Sequence, residues 1–338
     1  MPQKAYARAG VDIDLANRLK SRLGAPLRAT RRPEVLGAVG GFGGLFRASF
    51  PGLRDPVLVA SIDGVGTKLK VAFMLDRHDT VGADLVNHCV NDILTLGAEP
   101  LFFLDYIGAG KLEPRVFGAL IKGMSRACAS AGCALLGGET AQMPGFYPPG
   151  EYDLAGCIVG IVDRKKIIDG SSVRPGDTLI GLPASGLHTN GYSLARRILF
   201  EDMGLRPRDR LPGLRLPIGL ELLRTHPSYL PAVRRLVRRV PVKGMAHITG
   251  GGLVDNLPRV LPDGARAIID TKSWRVPPLF RTLRDRGGLG DAEAYQVFNM
   301  GIGFVLIVDS RHAKRALAIT GGRPIGTVER GPKGVALV

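Results

Sequence analysis

The stretch Pro56–Lys70, PVLVASIDGVGTKLK, decides the expected fold because it joins a buried strand to a glycine-rich turn. Its apolar run, Val57–Ile62, ends at the carboxylate of Asp63, and two glycines, a threonine and Lys68 follow. Glycines let backbone N–H groups approach phosphate oxygens, a lysine adds fixed charge, and a carboxylate can hold a metal ion. The pattern predicts a Mg-nucleotide site, or else a strand end with a tight turn and a solvated lysine.

Neither of two common phosphate-binding motifs explains this turn. A P-loop carries Ser or Thr after its lysine, whereas Thr67 precedes Lys68 here. A dinucleotide-binding fingerprint reads G-x-G-x-x-G. Gly64 and Gly66 match its first two glycines, but Leu69 occupies the position of the third. A nucleotide bound by this turn is therefore bound in a different way.

The composition is typical of a globular protein with two domains. The chain has 338 residues, of which 45% are hydrophobic and 22% are charged. It has no run of about 18 apolar residues and no apolar signal core near its start, so we expect no transmembrane helix and a cytoplasmic location. The four cysteines form no C-x-x-C pair and the six histidines no metal-binding motif, which favours structural thiols in a reducing compartment.

The charge balance is strongly basic, with 46 basic and 30 acidic residues and a net charge of +16. Such a charge is compatible with nucleic-acid binding. However, the basic residues are spread along the chain, aromatic residues make up only 6%, and no basic-and-aromatic stacking motif occurs. We therefore expect a phosphorylated small molecule as the partner, and neither nucleic acid nor a membrane.

Alternating strand and helix patterns predict two mixed α/β domains. Residues 1–55 are expected to be irregular, and a polar break at Asp163–Asp177 separates a predicted domain at 1–166 from one at 167–338. The first has predicted strands at Val57–Ile62, Leu101–Ile107, Ala134–Leu136 and Tyr152–Val162, and helices at Thr80–Leu96 and Pro114–Ala131. The second has predicted strands at Thr178–Leu182, Met245–Thr249, Ala265–Asp270, Gly303–Val308 and Arg323–Val328, and helices at Tyr192–Phe200, Tyr229–Arg239, Leu253–Leu261 and Ala313–Ile319.

Four carboxylates lie at strand ends or within apolar runs: Asp63, Asp92, Asp105 and Glu139. A carboxylate in an apolar run is costly to bury unless a cation or metal ion pairs with it. Each one alone fits a capping or salt-bridged residue, but three together, each at a strand end or on an apolar helix, favour a divalent-cation cluster. Mg²⁺ fits better than Ca²⁺ because it uses few carboxylates together with phosphate oxygens.

Two further polar, glycine-rich segments each precede a predicted helix. They are SGLHTNGYSL at 185–194 and HITGGGLVDN at 247–256. Backbone donors at a helix N-terminus attract anions, although ordinary N-caps and glycine turns have the same composition. Three consecutive glycines, Gly250–Gly252, indicate close approach of the backbone to another group.

Together these segments make the chain resemble the aminoimidazole ribonucleotide synthetases of purine biosynthesis. The matching motifs include AGVDID at 9–14, TRRPEV at 30–35, GGFGGLF, DGVGTKL, VNDIL, GAEPLFFLDY at 97–106, GGETAQMPGFY at 137–147, HTNGYSL, HITGGGL and FNMGIG. They run in order from about Tyr6 to past Gly326. Each motif alone is modest evidence, whereas the ordered series is specific.

This resemblance implies a fold and a reaction. The fold is a mixed α/β synthetase whose N-terminal domain pairs into a homodimer, with a second α/β domain at the C-terminus. The reaction uses ATP and Mg²⁺ to activate the formyl oxygen of formylglycinamidine ribonucleotide. A ring nitrogen then closes the imidazole, and ADP and phosphate are released.

The resemblance also assigns expected roles to residues. Asp63, Asp92 and Glu139 are expected to hold Mg²⁺. The nucleotide is expected to contact Asp63, Gly64, Val65, Gly66, Thr67, Lys68, Asp92, Asp105, Gly138 and Glu139. The substrate is expected to contact His188, Thr189, Asn190, Gly191, Thr249, Gly250, Gly251 and Gly252. Catalytic roles are expected for Asp63 and Asp92 and for His188 or His247, because a neutral imidazole moves protons near pH 7.

One segment departs from the family pattern. LLRTHPSYL has Pro227 where the family usually has an arginine, and Thr225 where it has a proline. If that arginine binds phosphate in the family, Arg224 or a neighbouring basic residue is the expected replacement.

Related enzymes of the same fold phosphorylate other compounds. Among these rivals, a selenophosphate synthetase would have a reactive cysteine near its N-terminus, but no cysteine precedes Cys89. An amidine synthetase of the purine pathway would be longer or need partner subunits. A thiamine-phosphate kinase stays open as a third alternative.

Overall fold

The computed structural model describes residues 11–21, 23–36 and 43–338, which fall into two compact units. The N-terminal unit comprises Met1–Ile93 with Ala98–Lys165, and the C-terminal unit comprises Leu94–Gly97 with Lys166–Val338. Parts of the motifs at 9–14 and 37–46 lie outside the described residues. Both units combine helices with mixed sheets, which confirms the predicted fold class.

The first part of the chain is more regular than the sequence predicted. It contains helices α1 (Ile13–Ser21) and α2 (Gly24–Arg28) and an antiparallel pair, β1 (Val35–Leu36) with β2 (Leu45–Phe46). The expectation of an irregular segment was therefore wrong for these described residues.

A four-stranded sheet forms the centre of the N-terminal unit. Its strands are β3 (Pro56–Gly64), β4 (Glu99–Ala109), β5 (Ala134–Gln142) and β6 (Tyr152–Asp163), in the spatial order β3-β6-β4-β5. Only β4 and β5 are parallel. The unit's longer helices are α3 (Lys68–Leu75), α4 (Val81–Leu94) and α5 (Pro114–Ala131).

Local sequence explains where the helices lie. Helix α5 begins with Pro114 in its first turn, where a missing N–H costs little, and ends at Gly132, whose φ of 71° suits glycine. Helix α4 buries Leu85, Cys89 and Ile93, which recur every four residues on one face. The predicted helices at these two places are confirmed.

The sequence analysis ended one strand of this unit too early and missed one helix. Strand β5 does not stop at Leu136, because its parallel pairing with β4 continues to Gln142, so the GGET segment is strand and not loop. Helix α3 was not predicted, since its first residue, Lys68, was assigned to a phosphate-binding turn.

A six-stranded sheet forms the centre of the C-terminal unit. Its strands are β7 (Thr178–Pro183), β8 (Val242–His247), β9 (Ala265–Ile269), β10 (Ile302–Val308), β11 (Arg323–Arg330) and β12 (Gly334–Leu337), in the order β12-β9-β11-β7-β10-β8. Every residue of β10 is buried, which fits a central strand. Only β12 and β9 are parallel.

The helices of this unit are mostly short. They are α6 (Tyr192–Arg196), α7 (Ile218–Leu222), α8 (Leu230–Val237), α9 (Gly252–Asn256), α10 (Pro278–Arg286), α11 (Asp291–Val297) and α12 (Ser310–Thr320). The predicted helix Tyr192–Phe200 is α-helical only to Arg196 and continues as a π-helix to Asp202. The predicted helix Leu253–Leu261 becomes a 3₁₀ turn at Leu257, where Pro258 cannot donate a helical hydrogen bond.

Among the described residues, no helix combines the length and the apolar character needed to cross a bilayer. All four cysteines are free thiols, of which three are buried and Cys157 is half-buried.

Candidate active site

A carboxylate pair lies where β3 meets helix α4. Asp63 accepts a hydrogen bond from the backbone N–H of Gly64 at 2.7 Å, and its other oxygen lies 2.6 Å from Nε2 of His88. Asp92 accepts a hydrogen bond from the Ser61 hydroxyl at 3.0 Å and lies 3.9 Å from the same histidine nitrogen. The structure thus brings two of the predicted metal ligands to one imidazole.

His88 was missed by the sequence analysis. It stands four residues before Asp92 on helix α4, a spacing that puts both side chains on one face, so the sequence did contain a usable signal. Burial lowers the pKa of His88, but the hydrogen bond and the charge of Asp63, with the charges of Asp92 and Asp84, raise it above its usual value. His88 therefore lies between the two carboxylates and contacts both of them through one ring nitrogen.

Asp63 and Asp105 lie in one row across the sheet. Asp63 pairs with Gly156 of β6, Gly156 pairs with Asp105 of β4, and Asp105 pairs with Gly138 of β5. Two strand spacings separate the two aspartates, a distance of about 10 Å. Residues in one row point to the same face, so both carboxylates belong to the face that carries α4.

The glycine at position 138 is required by the conformation of Asp105. A Cβ there would overlap the backbone oxygen of Asp105 and crowd its carboxylate. Burial in the sheet raises the pKa of Asp105 to about 7, a backbone hydrogen bond opposes this, and the negative charge of Glu139 adds to the rise. A cation or a hydrogen-bond donor next to Asp105 would favour its charged form.

Glu139 belongs to the other face of the sheet. It pairs with Tyr106, one residue beyond the row of Asp105, and strand side chains alternate between faces. Its side chain is exposed, and its carboxylate accepts a hydrogen bond from the N–H of Thr140 at 2.8 Å. Within one chain, the structure does not put Glu139 on the face that holds Asp63 and Asp92.

Lys68 has a different partner from the one the sequence predicted. It begins helix α3, is 0% exposed, and its ammonium lies 2.7 Å from Asp84, which is also 0% exposed. Burial lowers the pKa of Lys68 and the charge of Asp84 raises it. The lysine neutralises a buried carboxylate beneath the turn and does not extend into solvent.

The rest of the turn divides into an exposed and a buried part. Gly66, with φ of 67°, and Thr67 are exposed, so their backbone is accessible to a ligand. Val65 is fully buried, and its N–H donates to the backbone oxygen of Leu154 at 3.1 Å. Val65 therefore anchors the turn to β6, and its side chain is directed away from solvent.

The two polar loops predicted to bind substrate lie side by side in the C-terminal unit. An ideal Cβ on Gly250 would be 3.4 Å from the side-chain oxygen of Asn190. Asn256 holds the second loop, because its amide donates to the backbone oxygens of Gly250 at 3.2 Å and Gly252 at 2.8 Å. Gly252 has φ of 57°, and any side chain there would overlap the backbone of Tyr295. The structure therefore brings HTNG and TGGG together.

The FNMGIG motif supports the first of these loops. The Asn299 amide donates to the backbone oxygen of Gly186 at 2.8 Å and accepts from the N–H of Gly301 at 2.9 Å. Gly303 leaves room for the ring of His188, which a Cβ at this position would overlap. This motif is therefore structural and fixes the position of a predicted catalytic histidine.

Three histidines that are distant in sequence are neighbours in this unit. His188 and His247 are joined by His226, and all three are buried. The absence of a histidine motif in the sequence was therefore no guide to their arrangement, because the sheet and its loops assemble them.

Arg224 is held by an acidic neighbour. Its guanidinium lies 2.5 Å and 3.2 Å from the two oxygens of Glu221, a buried carboxylate. Arg224 thus neutralises Glu221, which limits it in the phosphate-binding role expected of it from the sequence.

Solved structures of two other proteins share the fold of this chain. Thiamine-monophosphate kinase from Stenotrophomonas maltophilia superposes with a TM-score of 0.68 over 97% of this chain and 96% of that one, at 17% identity. Hydrogenase maturation protein HypE, solved in complex with ATP, superposes with a TM-score of 0.66 over 94% and 90% of the two chains, at 21% identity. At such identities the likeness is one of fold alone.

The chain belongs to the AIR synthase related family, because residues 52–162 match its N-terminal domain and residues 174–338 its C-terminal domain. Phosphoribosylformylglycinamidine cyclo-ligase of Syntrophotalea carbinolica is 54% identical over 94% of this chain and 91% of the relative. The proteins of the same name from Geobacter metallireducens and Geobacillus kaustophilus are 55% and 53% identical, each over 92% of this chain and 90% of the relative. These findings confirm the resemblance inferred from the sequence.

Proposed function

We propose that this chain is a ligase of purine biosynthesis that uses ATP to close the imidazole ring of formylglycinamidine ribonucleotide. The observation that carries the proposal is 54% identity over 94% of the chain to a phosphoribosylformylglycinamidine cyclo-ligase. The clustered carboxylates, the exposed glycine turn and the paired polar loops support it. All three features lie on motifs that the family resemblance had singled out.

The N-terminal unit supplies the proposed nucleotide site. Asp63 and Asp92 offer partly exposed carboxylate oxygens beside the Ser61 hydroxyl, and such oxygens are the ligands that Mg²⁺ prefers. These residues fit the ion, which would offset phosphate charge during transfer. The backbone of Gly64, Gly66 and Thr67 is proposed to contact phosphate. Lys68 is proposed to support the turn from below through Asp84.

The C-terminal unit supplies the proposed substrate site. The loops of Thr189 to Gly191 and Thr249 to Gly252 are proposed to contact a ribose phosphate through their backbone N–H groups, since the Thr249 hydroxyl already donates to Asn256 at 3.3 Å. Phosphorylation makes the formyl oxygen a good leaving group. As a ring nitrogen forms its bond to the formyl carbon, the carbon–oxygen bond breaks, phosphate leaves, and one proton must be removed. His247 or His188 is proposed to accept that proton.

A coupled assay tests the proposal. With formylglycinamidine ribonucleotide and Mg-ATP, the purified protein should form one ADP for each aminoimidazole product. Thiamine monophosphate, offered in its place because a kinase for it shares the fold, should yield no ADP above background. If the protein is folded and is assayed at adequate concentration but forms no imidazole product, the proposed function is overturned.

The N-terminal sheet also supports the proposal of a homodimer. The face opposite helix α4 carries apolar side chains in two rows, Ile62–Cys157–Leu104 and Ala60–Val159–Phe102, and we call it the open face. Ile62 is 74% exposed and Leu58, on the same face, is 63% exposed. Apolar patches of this kind are typical of protein interfaces. We propose that a second copy covers the open face, as the family resemblance implies, and that Glu139 lies near this contact.

Replacing Ile62 by aspartate should separate the dimer, because it places a charge at the β3 end of an apolar row, on the most exposed apolar side chain of the open face. Light scattering after gel filtration should give twice the 36.0 kDa chain mass for the wild type and a single chain mass for Ile62→Asp. Met74→Asp is the matched control, since Met74 is 49% exposed but lies on helix α3, and it should remain dimeric. A monomeric wild type, or a dimeric Ile62→Asp variant, would contradict the proposed interface.

A further inference from the structure

Two stretches of the C-terminal unit carry basic residues and no acidic ones. The chain has no Asp or Glu between Glu221 and Asp255, and none between Asp309 and Glu329. Helix α8 lies in the first stretch and helix α12 in the second. The sequence analysis set nucleic acid aside because the basic residues are spread along the chain. The fold, however, brings these two stretches together.

Helices α8 and α12 lie side by side on one face of the six-stranded sheet. Helix α12 packs against β7, β10 and β11 and also against α8. Tyr229, which directly precedes α8, places its ring 5.1 Å from the ring of Phe304 in β10, measured between centroids. Two helices on opposite faces would be separated by the sheet, so their mutual contact puts both on the same face. Their outer sides therefore form one surface.

Five basic side chains are exposed on these two helices and at the end of α8, and we call them the basic surface. They are Arg235, Arg238, Arg239, Lys314 and Arg315. No carboxylate of the residues that the structure describes pairs with any of the five. Arg311, by contrast, is paired with Asp309 at 2.9 Å and is not included. Clustered like charges repel one another, and an anionic partner would relieve that repulsion.

The chemistry of the basic surface fits a phosphate backbone better than a protein partner. Four of its five side chains are arginines, whose planar guanidinium binds phosphate through two hydrogen bonds. A protein interface has an apolar core. Helices α8 and α12 are described in full, and among their side chains only Val237 is large, apolar and exposed, at 42%. Non-specific binding to nucleic acid is electrostatic and needs no apolar core.

The form of nucleic acid follows from what the basic surface lacks. Helices α8 and α12 contain no Phe, Tyr or Trp, so they offer no platform on which single-stranded bases could stack. A duplex instead presents a phosphate about every 1.7 Å along its axis. The five side chains carry hydrogen-bond donors and no acceptor, so they suit phosphate oxygens and cannot accept the 2′-hydroxyl proton that marks RNA.

We propose that the basic surface binds the phosphate backbone of duplex DNA without reading its base sequence. This binding is additional to the proposed ring closure and does not depend on it. It uses phosphate contacts alone, which position a protein on a duplex but carry no sequence information.

Fluorescence anisotropy with a labelled DNA duplex of about 20 base pairs tests the proposal. Near physiological salt, the wild type should bind with a Kd of about 10⁻⁴–10⁻⁶ M, as non-specific DNA-binding proteins do. If all five side chains contact phosphates, log K plotted against log salt concentration should have a slope of about −4 to −5. A second duplex of unrelated sequence should give the same Kd and slope.

A surface variant and a matched control locate the binding. The surface variant carries Arg235→Gln, Arg238→Gln, Arg239→Gln, Lys314→Gln and Arg315→Gln. The control variant changes five exposed basic residues elsewhere in the same unit to glutamine, namely Arg208, Arg281, Arg286, Arg330 and Lys333. Both variants lower the net charge of +16 by the same amount. The surface variant should bind at least about tenfold more weakly with a slope near zero, and the control within about threefold of the wild type.

The outcomes separate this inference from the proposed function. Both variants should keep the circular dichroism spectrum and the ring-closure rate of the wild type, since neither changes a residue of the proposed site. An inactive wild type would overturn the proposed function alone, because DNA binding is measured without substrate.

Four results would overturn the proposed DNA surface. They are equal weakening in the two variants, a wild-type slope shallower than about −2, tighter binding to an RNA duplex of the same sequence, and tighter binding to polyglutamate, which would indicate an acidic protein partner. If the surface variant fails to fold, the pair Lys314→Gln with Arg315→Gln, compared with the pair Arg330→Gln with Lys333→Gln, decides in its place.

Discussion

Replacing Lys68 by methionine should lower the free energy of unfolding by about 3–5 kcal/mol, because it leaves the carboxylate of Asp84 buried without its charged partner. The ammonium and carboxylate are 2.7 Å apart and both side chains are 0% exposed. Natural domains are stable by only about 5–15 kcal/mol, so this is a large share of the total. Urea unfolding followed by circular dichroism measures the change.

The double variant Lys68→Met with Asp84→Leu should recover most of the lost stability. It removes both buried charges at once and replaces them with apolar groups of similar size, an exchange that is often neutral or stabilising. Recovery in the double variant would show that the two side chains act as a pair, and additive losses would show that they do not.

Lys70→Met is the matched control for the single variant. Lys70 is two residues away and lies 2.5 Å from Glu151, but its side chain is 41% exposed, so its loss should cost at most about 1 kcal/mol. If Lys68→Met proves as stable as Lys70→Met and only raises KM for ATP, then Lys68 contacts phosphate, as the sequence first suggested, and its pairing with Asp84 is unimportant.

The fold was largely predictable because its main elements have strong local signals. Helix α5 was placed correctly at both ends, since Pro114 and Gly132 mark the two termini in the sequence. The strand containing Val57–Ile62 was found because an apolar run between turn residues suits a strand. The expectation that this strand is buried was wrong, because β3 lies at the edge of the sheet and exposes Leu58 and Ile62. The predicted strand β5 ended too early because the glycines of GGET, considered without their neighbours in the sheet, indicate a turn. The hydrogen-bonded pairing with β4 extends the strand through these glycines.

The candidate site was less predictable because it depends on contacts between distant segments. The sequence identified Asp63 and Asp92, but the partner of Lys68 lies 16 residues further on, in a different helix, where nothing local reveals it. The face on which Glu139 lies depends on strand register, and a register is set by neighbouring strands. The contact between His226 and His247 joins the segment between α7 and α8 to the end of strand β8, and no sequence motif links the two residues.

Some motifs that carried the resemblance prove to be structural. Arg32 of TRRPEV donates to the backbone oxygens of Gly132 at 2.8 Å and Pro100 at 3.0 Å, and so joins the end of α5 to the sheet. Thr30 of the same motif accepts from the N–H of Leu135 at 3.0 Å. A motif can therefore identify the family whether its residues bind a ligand or only stabilise the fold. The sequence alone does not distinguish ligand-binding motifs from structural ones.

Replacing Asp92 by asparagine should reduce Mg-ATP-dependent ring closure by at least about 100-fold while leaving the fold intact. The asparagine oxygen can still accept from the Ser61 hydroxyl, which donates to Asp92 at 3.0 Å, so little stability should be lost. What disappears is a negative charge at the proposed metal ligand, and electrostatic groups of this kind contribute about 10²–10³ in rate. The coupled imidazole assay, run across a Mg²⁺ titration, measures the loss.

Asp92 is a cleaner test of the metal site than Asp63. Asp63 also accepts the N–H of Gly64 at 2.7 Å, so a change there disturbs the glycine turn as well as the charge. Asp55→Asn is the matched control, because Asp55 is an exposed aspartate of the same unit, 3.7 Å from Arg164, and its loss should not affect turnover. If Asp92→Asn needs no more Mg²⁺ than the wild type and turns over at the same rate, then Asp92 is not a metal ligand. Its carboxylate would then serve His88, which remains paired with Asp63 at 2.6 Å.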